Sequence, residues 1–205
     1  MYRCVKRVFD FVSALLLLVV SSPLLFVLAI SVRLNLGSPV FFTQERTGKK
    51  MRRFKLIKFR TMTNACDSSG KLLPDHQRVT RFGRFLRSSS LDELPELINI
   101  IKGDMSVIGP RPLPPRYDSY YSEYEKKRFD VRGGLITPDS VDRSPIISWD
   151  KQLEYEADYA ERGGLLLDLK IMVGVFRILF KRNTTGYGSF ERRPLDVERR
   201  GLGVG

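Results

Sequence analysis

The sequence predicts a mainly helical domain with a small β-hairpin, an α+β chain, joined to a long apolar N-terminal helix. Three stretches carry that prediction. Residues 11–32 form an uncharged run of 22 residues bounded by Asp10 and Arg33. Residues 39–45 and 51–59 are short, β-prone and separated by a link containing Gly48. Residues 88–112 read SSSLDELPELINIIKGDMSVIGPRP, with Leu91, Leu94, Ile98 and Ile101 at helical spacing.

At about 1.5 Å per residue, a helix over 11–32 is long enough to reach across a bilayer core. The run exceeds the apolar region of a signal peptide, which is roughly 7–15 residues. Ser21, Ser22 and Pro23 fall near its middle. Pro23 leaves the Val19 carbonyl without its helical donor, and the Ser22 hydroxyl is placed to reach back to it, so a kink there strands no polar group in lipid. Basic residues stand on both flanks: Arg3, Lys6 and Arg7 before the run, Arg33, Arg46, Lys49 and Lys50 after it. Charge therefore chooses no crossing direction. A full span, the common outcome for such runs, and a helix that enters and leaves on one side both stay open.

The hairpin strands that follow are strongly basic, with Phe54, Leu56 and Phe59 interleaved. Lys58 and Arg60 at their end are candidate phosphate or surface contacts. Residues 63–80 are turn-rich and polar, a loop by composition that contains the single His76. In RFGRFLR, Arg81, Arg84 and Arg87 recur every third residue, so a helical turn puts them on adjoining positions of one side.

The central stretch opens with Ser90 three residues before Glu93, the spacing of a capping box. Pro95 competes with that start, because it is disfavoured inside a helix and favoured in its first turn. A helix beginning at Pro95, after a turn over 91–94, is the alternative register. On either one Asp92 and Glu93 lie at a helix start, where the dipole favours negative charge. Asp92, Glu96 and Asn99 lie opposite the apolar face. With the arginines just upstream, cations and carboxylates converge, as a metal–diphosphate site requires. In GPRPLPP, Pro110 and Pro112 hold Arg111 between two restricted residues, a rigid presentation suited to bidentate capture of phosphate. Tyr117, Tyr120, Tyr121 and Tyr124 follow in a charged helical segment as an interfacial or packing face. Residues 171–180 are apolar, interrupted by Arg177 and too short to span, which fits an amphipathic helix at a surface or in the core. The Gly-rich, charged residues 183–205 look weakly ordered, and their Asn183 sequon has no meaning in a cytosolic chain.

The formal charge of +12 is uneven: residues 1–60 hold twelve Lys/Arg against Asp10 and Glu45, +10 of the total. Such an excess suits an anionic membrane surface, a polyanionic substrate or nucleic acid. Two cysteines, Cys4 and Cys66, have neither metal-ligand spacing nor the density of a disulfide scaffold, so a reducing compartment fits. A membrane-tethered nucleic-acid binder would show steeply salt-dependent binding. The chain has no helix-turn-helix or RNA-binding signature, and a basic patch gives no reason for DELP or GPRP.

KFRTM (58–62), RFGRFLR (81–87), SLDELPELINIIKGDMSVIGPRP (90–112) and LDLKIM (167–172) together resemble the bacterial sugar transferase family, the monotopic phosphoglycosyl transferases, in the family's order. The resemblance implies transfer of a phosphosugar from a UDP-sugar to polyprenyl phosphate, undecaprenyl phosphate in bacteria, through an aspartyl–phosphosugar intermediate. It implies a re-entrant helix broken at Ser22-Pro23, interfacial amphipathic helices, and placement on the cytosolic face of the bacterial inner membrane. Asp92 would then be nucleophile and Mg²⁺ ligand, with Glu93 beside it as base or metal positioner. Arg111 and Arg87, with Lys58, Arg60 and Arg81, would hold phosphates. The expected layout is a membrane helix with flanks (1–35), a catalytic domain (36–182) and the tail. Membrane lipids are expected partners, nucleic acid is not, and a second copy of the chain stays open. RGGLITPDSVDRS at 132–144 departs from the family's usual TG-x-AQVNGR pattern, in a segment the resemblance associates with the sugar-nucleotide pocket. An inactive scaffold is the alternative which that departure raises and which intact Asp92, Glu93 and Arg111 oppose.

Overall fold

The computed structural model describes residues 2–142, 147–181 and 192–200, with residues 176–181 given by backbone alone. Helix α1 (Tyr2–Leu36) runs unbroken through Pro23, so the break that the resemblance implied at Ser22-Pro23 is absent. The Ser22 hydroxyl donates to the Val19 carbonyl at 2.7 Å, supplying the donor that Pro23 lacks, and Ser21 donates to Leu17 at 2.6 Å. Among the described residues α1 alone is long and apolar enough to cross a membrane. One stripe of it faces the rest of the protein. Ala14 packs with Leu56, Leu97, Ile100 and Met105, while Leu28, Val32 and Leu36 pack with Phe59 and Leu86. Leu16, Val19, Val20, Phe26, Val27 and Leu34 are exposed on its other sides. Polar contacts fix its first half: buried Asp10 accepts from the Ser106 hydroxyl at 2.6 Å and the Val107 N–H at 3.2 Å.

Strands β1 (Phe41–Thr47) and β2 (Arg53–Phe59) pair antiparallel, from Phe41↔Phe59 to Thr47↔Arg53. The expected hairpin is present, and its link holds a 3₁₀ turn at Lys49–Met51. Lys50 and Met51 take the left-handed conformation there, at φ 55° and 57°. The polar loop holds one helical turn, α2 (Asp75–Arg78). Helix α3 (Arg81–Ser89) is capped by the Thr80 hydroxyl, which accepts from the Gly83 N–H. Gly83 is obligatory, because a Cβ there would lie 1.8 Å from the Thr61 carbonyl oxygen.

Helix α4 (Glu96–Lys102) begins just after Pro95 and ends at Gly103, φ 89°. Of the two registers the sequence offered, the structure takes the one started by the proline. Ser90 is left-handed at φ 57°, closes α3 and caps nothing with its side chain, so the capping-box register fails. Asn99 is a second correction. It is buried, accepts from the Ile57 N–H and donates to the Lys55 carbonyl, so α4 closes on the free edge of β2.

Strands β3 (Met105–Ile108) and β4 (Gly133–Ile136) form a parallel pair that the sequence did not announce. Both are four residues long and a long connection separates them, so neither carries a readable alternation. The tyrosine-rich connection folds as 3₁₀ turns at Pro115–Tyr120 and Glu125–Asp130 rather than as the expected helix. Tyr117 and Tyr121 are core residues there, beside Trp149 and Leu153.

Helix α5 (Trp149–Arg162) and helix α6 (Leu165–Lys181) complete the domain, and α6 shows Leu165, Leu166, Leu169 and Val173 on one exposed stripe. Within the tail, helix α7 (Leu195–Arg200) corrects the expectation of weak order for its own residues. Leu195 is fully buried and Arg199 pairs with Glu125 and Asp150 at 2.6 Å. The sequon at Asn183 lies outside the described residues.

Candidate active site

Ser90 ends α3 and Pro95 starts α4, which leaves Leu91–Glu93 as a single 3₁₀ turn between them. Leu91 and Leu94 pack into the cluster formed with Leu28 and Val32 of α1. That packing seats the turn against α1, with Asp92 and Glu93 half-buried beside it.

Glu93 Oε1 lies 2.7 Å from Lys58 Nζ and 3.7 Å from the Arg111 guanidinium. Lys58 also reaches Glu96 Oε1 at 3.1 Å, so one ammonium group bridges two carboxylates. A cleft of about 290 Å³ opens here, lined by Arg46, Lys58, Glu93, Glu96 and Arg111, with Pro112 and Gly134 in its wall. Asp92 adjoins these groups. Burial raises the proton affinity of its carboxyl above the ordinary value, Lys58 and Arg87 oppose that rise, and Glu93 adds to it.

Arg87 is held in place by Thr61 of the KFRTM segment, whose hydroxyl accepts from its Nε at 2.9 Å. Arg111 is held from behind. Its backbone N–H donates to Glu156 Oε1 at 3.0 Å, and its carbonyl accepts from Arg128 at 2.5 Å. Arg128 and Glu156 themselves form a buried pair at 2.6 Å. Gly133 and Gly134 brace the same loop: a Cβ on Gly133 would lie 2.6 Å from Pro112, and one on Gly134 would lie 2.1 Å from the Gly109 nitrogen. The segment that departs from the family pattern thus carries, just after Arg132, two glycines that permit the approach of the Arg111 loop.

The structure therefore brings together Asp92, Glu93, Lys58, Arg87 and Arg111. Two expected contacts stand elsewhere. Arg60 is buried and donates to the Ser38 carbonyl at 2.6 Å, tying the end of α1 to the hairpin. Arg81 is exposed at the start of α3, about 9 Å along the helix from Arg87.

Two site residues escaped sequence reading. Glu96 is buried, and its pKa is pushed up to about 7 by burial against the opposing pull of Lys58. Its spacing from Asp92 and Glu93, four and three residues on, was the available signal. Arg46 lowers to about 10 through burial and the nearby Arg111 charge, and its Nε has no hydrogen-bond partner among the described residues. Register would have revealed it, since Arg46 pairs with Phe54 and shares the strand face of Leu56 and Lys58. Among the described residues no group of three or more His, Cys, Asp or Glu side chains is arranged to hold a metal.

A family profile described as "Bacterial sugar transferase" matches residues 1–182. The chain is 44% identical over 167 residues to "Uncharacterized sugar transferase EpsL" of Bacillus subtilis, covering 82% of this chain and 83% of that protein. It is 37% identical to a UDP-glucose:undecaprenyl-phosphate glucose-1-phosphate transferase of Caulobacter vibrioides, over 82% of this chain and 67% of the relative. It is 31% identical to a UDP-N-acetylgalactosamine-undecaprenyl-phosphate N-acetylgalactosaminephosphotransferase of Aeromonas hydrophila, over 92% of this chain and 45% of that longer protein.

Proposed function

The chain belongs to the bacterial sugar transferase family, and on that footing we propose that it moves a phosphosugar from a UDP-sugar to undecaprenyl phosphate at a membrane surface. The observation that carries this reading is the turn at Asp92 and Glu93, seated against α1 and facing Lys58, Arg111 and Arg46. A soluble diphosphate and a lipid phosphate need a common meeting point, and this turn supplies carboxylates and phosphate-binding cations there.

Asp92 attacks the sugar-side phosphorus through a carboxylate oxygen. A P–O bond of the diphosphate breaks, UMP departs with its electron pair, and an acyl phosphate remains on Asp92. A phosphate oxygen of the lipid then attacks the same phosphorus and releases the Asp92 carboxylate. Arg111 and Arg46 offset the charge of the diphosphate, and the loose 3.7 Å approach of Arg111 to Glu93 leaves its guanidinium available to exchange partners. Mg²⁺ takes hard oxygen donors and commonly binds through one or two carboxylates plus substrate phosphates, a set that Asp92 and a bound diphosphate fit, and it would supply further charge neutralisation. The direct test is UMP release on mixing purified protein with polyprenyl phosphate and each of a panel of UDP-sugars. Release with one sugar class identifies the donor, and no release with any of them overturns the reading.

Arg111→Lys keeps the charge but loses the planar fork. The expected loss is at least about tenfold in kcat/KM, or about 1.4 kcal/mol of transition-state stabilisation. Activity within twofold of wild type would remove Arg111 from the site.

The same reading places both ends of α1 on the cytosolic side. Its first half packs on α4 and β3 and its last turns on β2 and α3, so one body holds both ends. Cys4 is already exposed near the start of α1. In a Cys66→Ser background, Cys4 and an introduced Asn35→Cys are both expected to escape an impermeant thiol reagent in intact cells and to react after lysis. Labelling of only one of them in intact cells would show a full crossing.

A further inference from the structure

A second concentration of positive charge lies away from Asp92. Between the hairpin turn and the end of α4, a cleft of about 840 Å³ is lined by Lys49, Lys50, Arg52, Arg53 and Arg132. Through Lys49 and Arg132 it adjoins a further cleft of about 490 Å³ that carries Arg3, Lys6 and Arg7 of α1.

Several of these cations have evident local tasks. Arg7 donates to the Ile100 and Ile101 carbonyls and Arg132 to the Gly103 carbonyl, so both cap the end of α4. Lys6 pairs with Asp168 at 3.1 Å and Arg53 with Asp118 at 2.5 Å. Carbonyl partners satisfy hydrogen bonds without cancelling charge, however, and Lys49, Lys50 and Arg52 enter no ion pair among the described residues. Asp104, the acid lining the larger cleft, accepts from Asn99 at 3.2 Å. The cluster thus keeps a surplus of positive charge over a concave surface, and burial, with the charges of Arg132, Arg3 and Lys50, holds the Lys49 ammonium below its ordinary pKa.

The position of the cleft selects its ligand. The left-handed backbone at Lys50 and Met51 turns both side chains outward, with Met51 43% exposed. In the first turns of α1, the face turned away from Arg3, Lys6 and Arg7 exposes Val5, Val8 and Phe9. An exposed Met51 between unpaired Lys50 and Arg52, beside a helix whose outer face is apolar, suits the boundary between headgroups and acyl chains. We propose that this cleft binds the headgroup phosphate of an anionic phospholipid, at a site separate from the cleft lined by Glu93 and Arg111. The inference rests on α1 lying in the membrane and not on the identity of the transferred sugar.

The test follows thermal unfolding of detergent-solubilised protein with added phosphatidylglycerol, phosphatidylcholine or inorganic phosphate. A ligand that binds the folded state raises the midpoint, here by at least about 3 °C for phosphatidylglycerol alone. Lys49→Gln/Lys50→Gln/Arg52→Gln should lose that rise. Lys50→Gln/Arg52→Gln changes only exposed side chains, so its reduced rise guards against misfolding of the triple variant. Asp92→Asn should retain the full rise, which separates this site from the transfer reaction. Equal rises in wild type and both cleft variants would overturn the proposal. So would an equal rise with inorganic phosphate, which would make the cleft a soluble-anion site, or with phosphatidylcholine, which would make the effect one of lipid in general.

Discussion

Asp92→Asn is expected to abolish both turnover and the covalent intermediate, with a loss of about 10⁴-fold or more in kcat. The substitution nearly preserves shape while removing the anionic oxygen that the proposed mechanism aims at phosphorus. The reaction divides into two half-reactions if Asp92 is the nucleophile. UDP-sugar alone should then release UMP stoichiometric with enzyme and leave a phosphosugar on the protein, which intact-protein mass spectrometry reads directly. Glu93→Gln keeps the nucleophile and breaks its neighbour's 2.7 Å pair with Lys58, so adduct should still form, slowly, while transfer to lipid fails. A direct displacement makes the opposite demand: no UMP without lipid acceptor. An active preparation that never shows the adduct, even after rapid quench, would remove Asp92 from this role, and an adduct mapped to Glu93 would exchange the two. The pH profile supplies a second readout. Because burial raises the Asp92 carboxyl above its ordinary value, the first half-reaction should fall with decreasing pH at a higher pH than an exposed aspartate would give. Glu96 titrates at about 7, so Glu96→Gln should simplify that acid limb.

Local rules made part of this site legible. Pro23 strands the Val19 carbonyl and Ser22 satisfies it, a consequence decided within five consecutive residues. Pro95 opens α4 for the same kind of reason, since its position is decided within one turn. Features that depend on distant partners were not legible. Asn99 looked polar and solvent-facing until the free edge of β2 gave it a donor and an acceptor. Leu195–Arg200 holds to the domain through Arg199, whose partners Glu125 and Asp150 lie far back in the chain. Glu96 was visible as a charge, but only the approach of Lys58 from β2 makes it part of the cleft. Ser90 and Glu93 had capping-box spacing, and the left-handed end of α3 claimed Ser90 instead. Composition and motif therefore singled out the acidic turn at Asp92 and Glu93, while tertiary pairing decided which charges surround it.

The largest stability effect is expected at a pair that never touches substrate. Arg128 and Glu156 have side chains only 2% and 0% exposed, and together they hold the backbone on both sides of Arg111. Gln152 and Tyr121 complete the network, donating to Glu156 and accepting from Arg128 respectively. Removing one partner leaves the other charge buried without compensation, so Glu156→Ala should cost about 3–5 kcal/mol and lower the unfolding midpoint by roughly 10 °C. Glu156→Gln is the informative variant for function. It keeps an oxygen for the Arg111 N–H but loses the charge that fixes Arg128, so the loop that presents Arg111 should loosen while the fold survives. A tenfold loss in kcat/KM is expected from Glu156→Gln in the wild-type background, and little further loss in an Arg111→Ala background. The two residues act through one guanidinium, and effects on a shared element do not add. Equal losses in both backgrounds would mean that Glu156 supports the fold alone, and the rigidity of Arg111 would then rest on Pro110 and Pro112.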